Sequence, residues 1–239
     1  MAHMEPGFAP LRLSLWRRLW GVLVAPRTTF EDIVTRGGFW PGAAVVYLAG
    51  LLAALSTLPK LRAFALWQLQ QGPNALPPEQ LAAVRGFATT AALVELFFGA
   101  LIVPTVVWLF GAGLLKIFNR SSGEPVPFAN LAAVSVFAYV PMLLGDLVRA
   151  ALIAASSFER LGSIGTSLGA LLPGRTEIAW LDLVLAQVDP FALWALGLFS
   201  LGGALALRTR TSNIALVVFS LWGLWVVVGV FLGLRSPSA

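Results

Sequence analysis

The sequence predicts an all-α polytopic membrane protein: a bundle of five transmembrane helices with an N-terminal amphipathic interfacial helix. Three observations predict it. Of 239 residues, 58% are apolar (AVILMFWYC) and 11% are Asp, Glu, Lys or Arg, against about 45–50% and about 25% in soluble domains. Five apolar runs reach the roughly 20 residues that a helix needs to cross a bilayer. The runs are continuous rather than alternating, which selects helices over barrel strands.

The chain begins MAHM, which reads as a cloning remnant ahead of Met4 and carries the one histidine, His3. PLRLSLWRRLWGVLVAP (10–26) then places Leu11, Leu15, Trp16, Leu19, Val22 and Leu23 on one helical arc and Ser14, Arg17 and Arg18 on the other, with Arg12 off the pattern. This suits a helix in the interface, with Trp16 and Trp20 at headgroup depth and Arg17 and Arg18 toward anionic lipid. A packed helix capping the bundle fits equally. After Pro26, Thr28 and Glu31 have capping-box spacing, which predicts a second short helix.

The five expected spans are Gly38–Leu58, Thr89–Leu115, Phe128–Ala155, Pro190–Leu207 and Ile214–Leu234. The first is too long for a signal-peptide core and is expected to stay as a span. Pro77 or Pro78 opens the helix leading into the second. Pro104 and Pro141 interrupt the second and third, where each frees a carbonyl and bends its helix. Two such kinks make either a crevice or simple packing bends. The 156–188 connection, with its spaced glycines, is expected to be flexible and to carry a partly apolar helix. The domain division is a cytoplasmic segment over 1–37, the five-helix domain over 38–234 and a tail over 235–239.

Orientation follows from the basic residues. With the N-terminus inside, that side holds Arg12, Arg17, Arg18, Arg27, Arg36, Lys116, Arg120, Arg208 and Arg210. The far side holds Lys60, Arg62, Arg85, Arg160, Arg175 and Arg235. The excess favours N-in and C-out, in the inner membrane for a bacterial cell. The net charge of +5 is thus accounted for by topology, and no nucleic-acid partner is expected. Expected partners are the lipid bilayer, anionic lipids at the cytoplasmic face, and a membrane-protein partner or second copy.

Four ionisable groups fall at or near membrane depth: Glu95, Asp146, Arg149 and Asp189. A charge at the bilayer centre costs about 2.5–3.5 kcal/mol on insertion scales, so such groups face a partner or water. Glu95 lies about six residues, or 9 Å, inside the outer end of the second span. Asp146 falls in the outer half of the third, and Asp189 begins the fourth. Asp146 and Arg149, three apart, can pair on one face, and Glu95 is placed to share Arg149. The cluster is either a structural tie between helices or a site for a proton, a cation or a headgroup. Asp189-Pro190 also reads as an N-cap followed by proline at N1.

Other motifs carry less. Gly229–Gly233 is a GxxxG and Ser200–Ala204 a small-xxx-small pair, suited to close helix approach within the chain or in a dimer. Gly165–Gly169 matches GxSxG, but no strand precedes it and no histidine base is at hand. Gly145-Asp146 matches the Gly-Asp pair of aspartyl intramembrane proteases, but Leu143 stands where they carry glycine, and no span supplies the partner Tyr-Asp. The chain has no cysteine and no HExxH, so no disulfide, catalytic zinc or other cofactor is expected.

Four stretches resemble the Yip-domain family of Ypt/Rab-interacting membrane proteins, in its bacterial form, over about Trp20 to Leu232. They are APRTTFEDIV before the first span, GGFWPGAAVVY at its start, PFANLAAVSVFAYVPMLLGDLV with Tyr139 and Pro141, and DPFALWALGLFSLGGALALRT with Pro190, Phe191, Trp194 and Gly197. Eukaryotic members open the first span with an acid and Leu-Tyr-Gly-Pro, after a long N-terminal region. Here Arg36-Gly37-Gly38-Phe39-Trp40-Pro41 stands instead, after about 37 residues. The resemblance implies five spans, N-in and C-out, and a non-enzymatic role in membrane organisation or in binding other membrane proteins. The alternative is a small permease, channel or lipid-handling protein working through the polar cluster. A dry, fully paired cluster weakens that alternative, and a wet cavity reaching it strengthens it.

Overall fold

The computed structural model describes residues 13–71, 77–119, 125–171 and 178–235, and among these every regular element is helical. The expectations placed on His3, Leu11, Arg12, Arg120 and Arg175, and on the tail beyond Arg235, lie outside the described residues.

Two short helices come first. α1 (Leu15–Val24) is capped by Ser14. α2 (Pro26–Arg36) begins on Pro26, whose ring presets the first helical φ. The expected Thr28–Glu31 capping box does not form. Proline starts the helix early, so Thr28 already lies inside the first turn, donating to the Ala25 carbonyl at 3.2 Å, while Glu31 reaches Arg27 at 3.5 Å. α2 stops at Gly37 and Gly38, with φ of +66° and +121°, backbone that only glycine adopts without strain.

α3 (Phe39–Gln71) runs 33 residues, about 50 Å at 1.5 Å per residue. It passes straight through Pro59, beyond the expected end at Leu58, because membrane-type helices tolerate an interior proline. It therefore outreaches the roughly 30 Å hydrocarbon core. α4 (Pro78–Phe97) opens on Pro78 and continues through a π turn, Phe98–Ile102, into α5 (Val103–Asn119). The apolar crossing here is Phe98–Asn119 rather than 89–115. α6 (Phe128–Ala138) and α7 (Val140–Ala155) form the third crossing, broken only at Tyr139.

A 3-10 turn, Phe158–Ser163, then leads to α8 (Leu168–Leu171), α9 (Ala179–Gln187), α10 (Pro190–Ala206) and α11 (Thr211–Arg235). The 17 residues of α10 span only about 26 Å. Among the described residues four helices are long and apolar enough to cross a membrane. A fifth crossing is made when α9 and α10, bent by 51°, count together. This is an all-α polytopic membrane protein.

The main core sits where the α1–α2 hairpin meets the bundle. Val22, Phe30 and Ile33 pack with Leu115 at the end of α5, Leu131 at the start of α6, Leu207 just after α10 and Ile214 at the start of α11. These four chain ends share one end of the bundle, so successive crossings alternate in direction. α6 and α7 form the centre: 67% of their apolar window is buried, against 17% for α11. The outer surface is itself apolar. Phe110, Ile117, Leu216 and Trp225 all stand exposed, an arrangement that a soluble monomer avoids and a lipid-bathed bundle requires.

Candidate functional site

At the end away from the hairpin, a cavity of about 400 Å³ opens between α3, the π turn and α7. Two kinks shape it. Pro104 has no N–H, and in a straight helix its ring would strike the carbonyl of Ala100. The π turn just before it relieves that clash and turns Gly99 and Ala100 toward the cavity. Pro141 falls in the first turn of α7, and Tyr139 N bonds Val136 O at 3.1 Å in a tighter turn. Tyr139 and Pro104 both line the cavity.

Beyond it toward the hairpin lies an aromatic cluster. Trp108, fully buried, has the rings of Tyr47 at 5.0 Å, Tyr139 at 5.8 Å and Phe39 at 6.3 Å. The Tyr47 and Thr105 hydroxyls bond one another across α3 and α5. This aromatic cluster lies between the cavity and the hairpin end.

Asp146 and Arg149 line the cavity, one turn apart on α7, and both are exposed to it. The expected ion pair between them is absent. The pairs among the described residues are Arg18–Asp32, Arg27–Glu31 and Arg36–Asp32. The two heads stand beyond ion-pair distance, yet Arg149 still acts on Asp146 electrostatically across the open cavity. One of the other two groups of the expected cluster is committed to a cap. Asp189 caps α10, accepting from Phe191 N at 2.7 Å and Ala192 N at 3.3 Å, with the Thr166 hydroxyl on its second oxygen. Glu95 lies on α4, just ahead of the crossing that starts at Phe98, and its side chain lies outside those described. Of the four expected groups, Asp146 and Arg149 are the two that line the cavity among the described residues.

A family model for the Yip1 domain matches residues 20–233, which take in the cavity, the aromatic cluster and all the crossings. The chain belongs to the Yip1 domain family. No curated protein and no solved structure matches it. The Yip1 domain match begins within α1, so the hairpin and the bundle fall almost wholly inside it.

The hairpin of this Yip1-domain chain corrects one expectation. Arg18 does not face lipid. It is 4% exposed, donating through Nε to Asp32 Oδ2 at 2.7 Å and through Nη1 to the Gly37 carbonyl at 2.6 Å. Asp32 also meets Arg36 at 3.4 Å. A buried guanidinium needs such partners, and α2 folds back to supply them. The arc read from the sequence splits accordingly. Leu19 and Val22 pack inward, while Trp16 and Trp20, 72% and 67% exposed, point outward with Arg17. Trp40, at the start of α3, is 77% exposed.

The pairing of Asp32 and the capping role of Lys60 were not foreseen from the sequence. Lys60 Nζ donates to the carbonyls of Ala154, at 3.0 Å, and Ser156, closing the end of α7 from α3. Asp32 had a local signal, its i, i+4 spacing to Arg36. Lys60 had none, because its partners lie more than ninety residues away.

Proposed function

We propose that this Yip1-family membrane protein is non-enzymatic and acts in membrane organisation or as a binding partner of other membrane proteins. One observation carries the reading: α1 is tied by Arg18 to α2 and to the turn into α3, yet presents Trp16, Arg17 and Trp20 outward. A helix held this rigidly sets its indoles at headgroup depth and its cation toward anionic lipid, where one basic residue contributes about 1 kcal/mol. The family supports the reading, as do the lack of cysteine and the single histidine at His3. The basic-residue excess supports a cytoplasmic hairpin end and a C-terminus on the far side. The span entry Arg36–Pro41, with no acid, supports the bacterial branch and its inner membrane.

A second reading, a small permease, channel or lipid-handling protein, is favoured by the cavity that Asp146 and Arg149 line. One reconstitution separates the two. The protein is placed in neutral and in anionic liposomes. Vesicle clustering or deformation is imaged, and proton, cation and fluorescent-lipid flux are recorded. The first reading expects remodelling of anionic vesicles that Trp16→Ser with Trp20→Ser abolishes at unchanged thermal stability, and no flux above empty liposomes. Flux that Asp146→Asn and Arg149→Gln remove from an equally stable protein would install the second reading instead.

A further inference from the structure

We infer that the cavity between α3, the π turn and α7 binds a phospholipid whose zwitterionic headgroup carries a primary ammonium. The phosphate meets Arg149, the ammonium meets Asp146, and an acyl chain lies along α3. The inference rests on the second reading above and gives its site a ligand class.

Charge is the first argument. The cavity holds one cation and one anion, one helical turn apart, and neither has an ion-pair partner among the described residues. Residues three apart on a helix stand about 5–6 Å apart at Cβ, a separation suited to a phosphate and an amine joined by a short ethanolamine linker. Guanidinium matches phosphate oxygens in a bidentate fork. Carboxylate accepts hydrogen bonds from a primary ammonium and none from a trimethylammonium. A lone inorganic phosphate would satisfy Arg149 but set a second anion beside Asp146.

Space is the second argument, and it is independent of charge. Gly50 and Gly99 line the cavity, and a Cβ on either would meet nothing within 4 Å. Other glycines bring helices together, a Cβ on Gly202 standing 2.7 Å from Val134 and one on Gly42 2.9 Å from Val136, while Gly113, Gly197 and Gly223 are open without lining the cavity. The two cavity glycines keep volume open rather than closing a contact. The lining extends along α3 from Val46 to Ala65, roughly 28 Å at 1.5 Å per residue, long enough to lay an extended acyl chain along it. Apart from the charged pair it is mainly apolar, with Leu61, Leu143 and Ile153. The volume falls within the about 300–1,000 Å³ of small-molecule sites.

Native mass spectrometry of the delipidated full chain in detergent tests this. The protein is offered equal amounts of phosphatidylethanolamine and phosphatidylcholine with matched acyl chains, and separately soluble phosphoethanolamine. The expected result is at least tenfold preferential retention of phosphatidylethanolamine. Arg149→Gln and Asp146→Asn each abolish the preference. Gly50→Leu and Gly99→Leu, which fill empty space, abolish retention with an unchanged melting temperature. Equal retention of the two lipids by wild type overturns the inference whatever the variants do. So does undiminished retention in folded Gly50→Leu and Gly99→Leu, or binding of phosphoethanolamine without lipid. Retention without flux leaves the site standing and removes only transport; flux without retention overturns the lipid site alone.

Discussion

Arg18 reaches a carboxylate fourteen residues away and a backbone carbonyl nineteen away, so one side chain joins α1, α2 and the turn into α3. Arg17 beside it touches solvent-exposed surface. The two arginines therefore make opposite predictions. Arg18→Gln leaves Asp32 buried with only Arg36 near it, and breaking a buried pair costs about 3–5 kcal/mol. Arg17→Gln should stay within about 0.5 kcal/mol of wild type. Gly38→Ala should cost about 1–2 kcal/mol from its positive φ alone, and its Cβ would stand 2.4 Å from Arg18 Nη1. Denaturant unfolding in detergent compares all three, and equal midpoints for the two arginine variants would remove Arg18 as the hub. The sequence shows both arginines as polar positions on an apolar helix. It cannot tell which one meets Asp32, because the choice depends on how α2 folds back.

At the scale of elements, the small-residue faces are spent inside the chain. A Cβ on Gly229 would lie 2.4 Å from Gln187 Nε2, and one on Gly233 2.9 Å from Leu183, so the GxxxG face of α11 holds α9. Ser200 and Ala204 are likewise buried. Gly229→Leu should therefore overpack the α9–α11 contact, at about 1–3 kcal/mol, and leave the oligomeric state unchanged. Mass photometry and a thermal melt check both halves, and a lost dimer would return the motif to a role between chains. GxxxG was legible as a close-approach motif, and a partly apolar helix was expected in the 156–188 connection, but that α9 is the partner of the motif depends on packing. Pro104 and Pro141 were legible as kinks because the missing N–H is a property of the residue. That Pro104 and Tyr139 line one cavity follows from the packing of α5 on α6 and of α3 on both the π turn and α7.

For the whole molecule, alternating crossings place Thr28 and Ser212 at the hairpin end and Ser157 at the cavity end. The chain has no cysteine, so single cysteines report their side without background. With the hairpin inside, Ser157→Cys should react with an impermeant maleimide on intact cells, while Thr28→Cys and Ser212→Cys react only after permeabilisation. The reverse pattern would invert the orientation and move the cavity to the cytoplasmic leaflet.

By itself the sequence determined the solvent of this protein, its helical class and most of its crossings, because 20-residue apolar runs have no other stable state in a bilayer. It also determined the Asp189 cap and the two proline bends, which depend on neighbours within a turn. Tertiary structure alone decided which charges pair. Arg18 found Asp32, Lys60 found the end of α7, and Asp146 and Arg149 were left facing open space. Each of these outcomes depends on distances between segments far apart in the chain. A helix pattern sets which residues share a face, and only packing sets what that face meets.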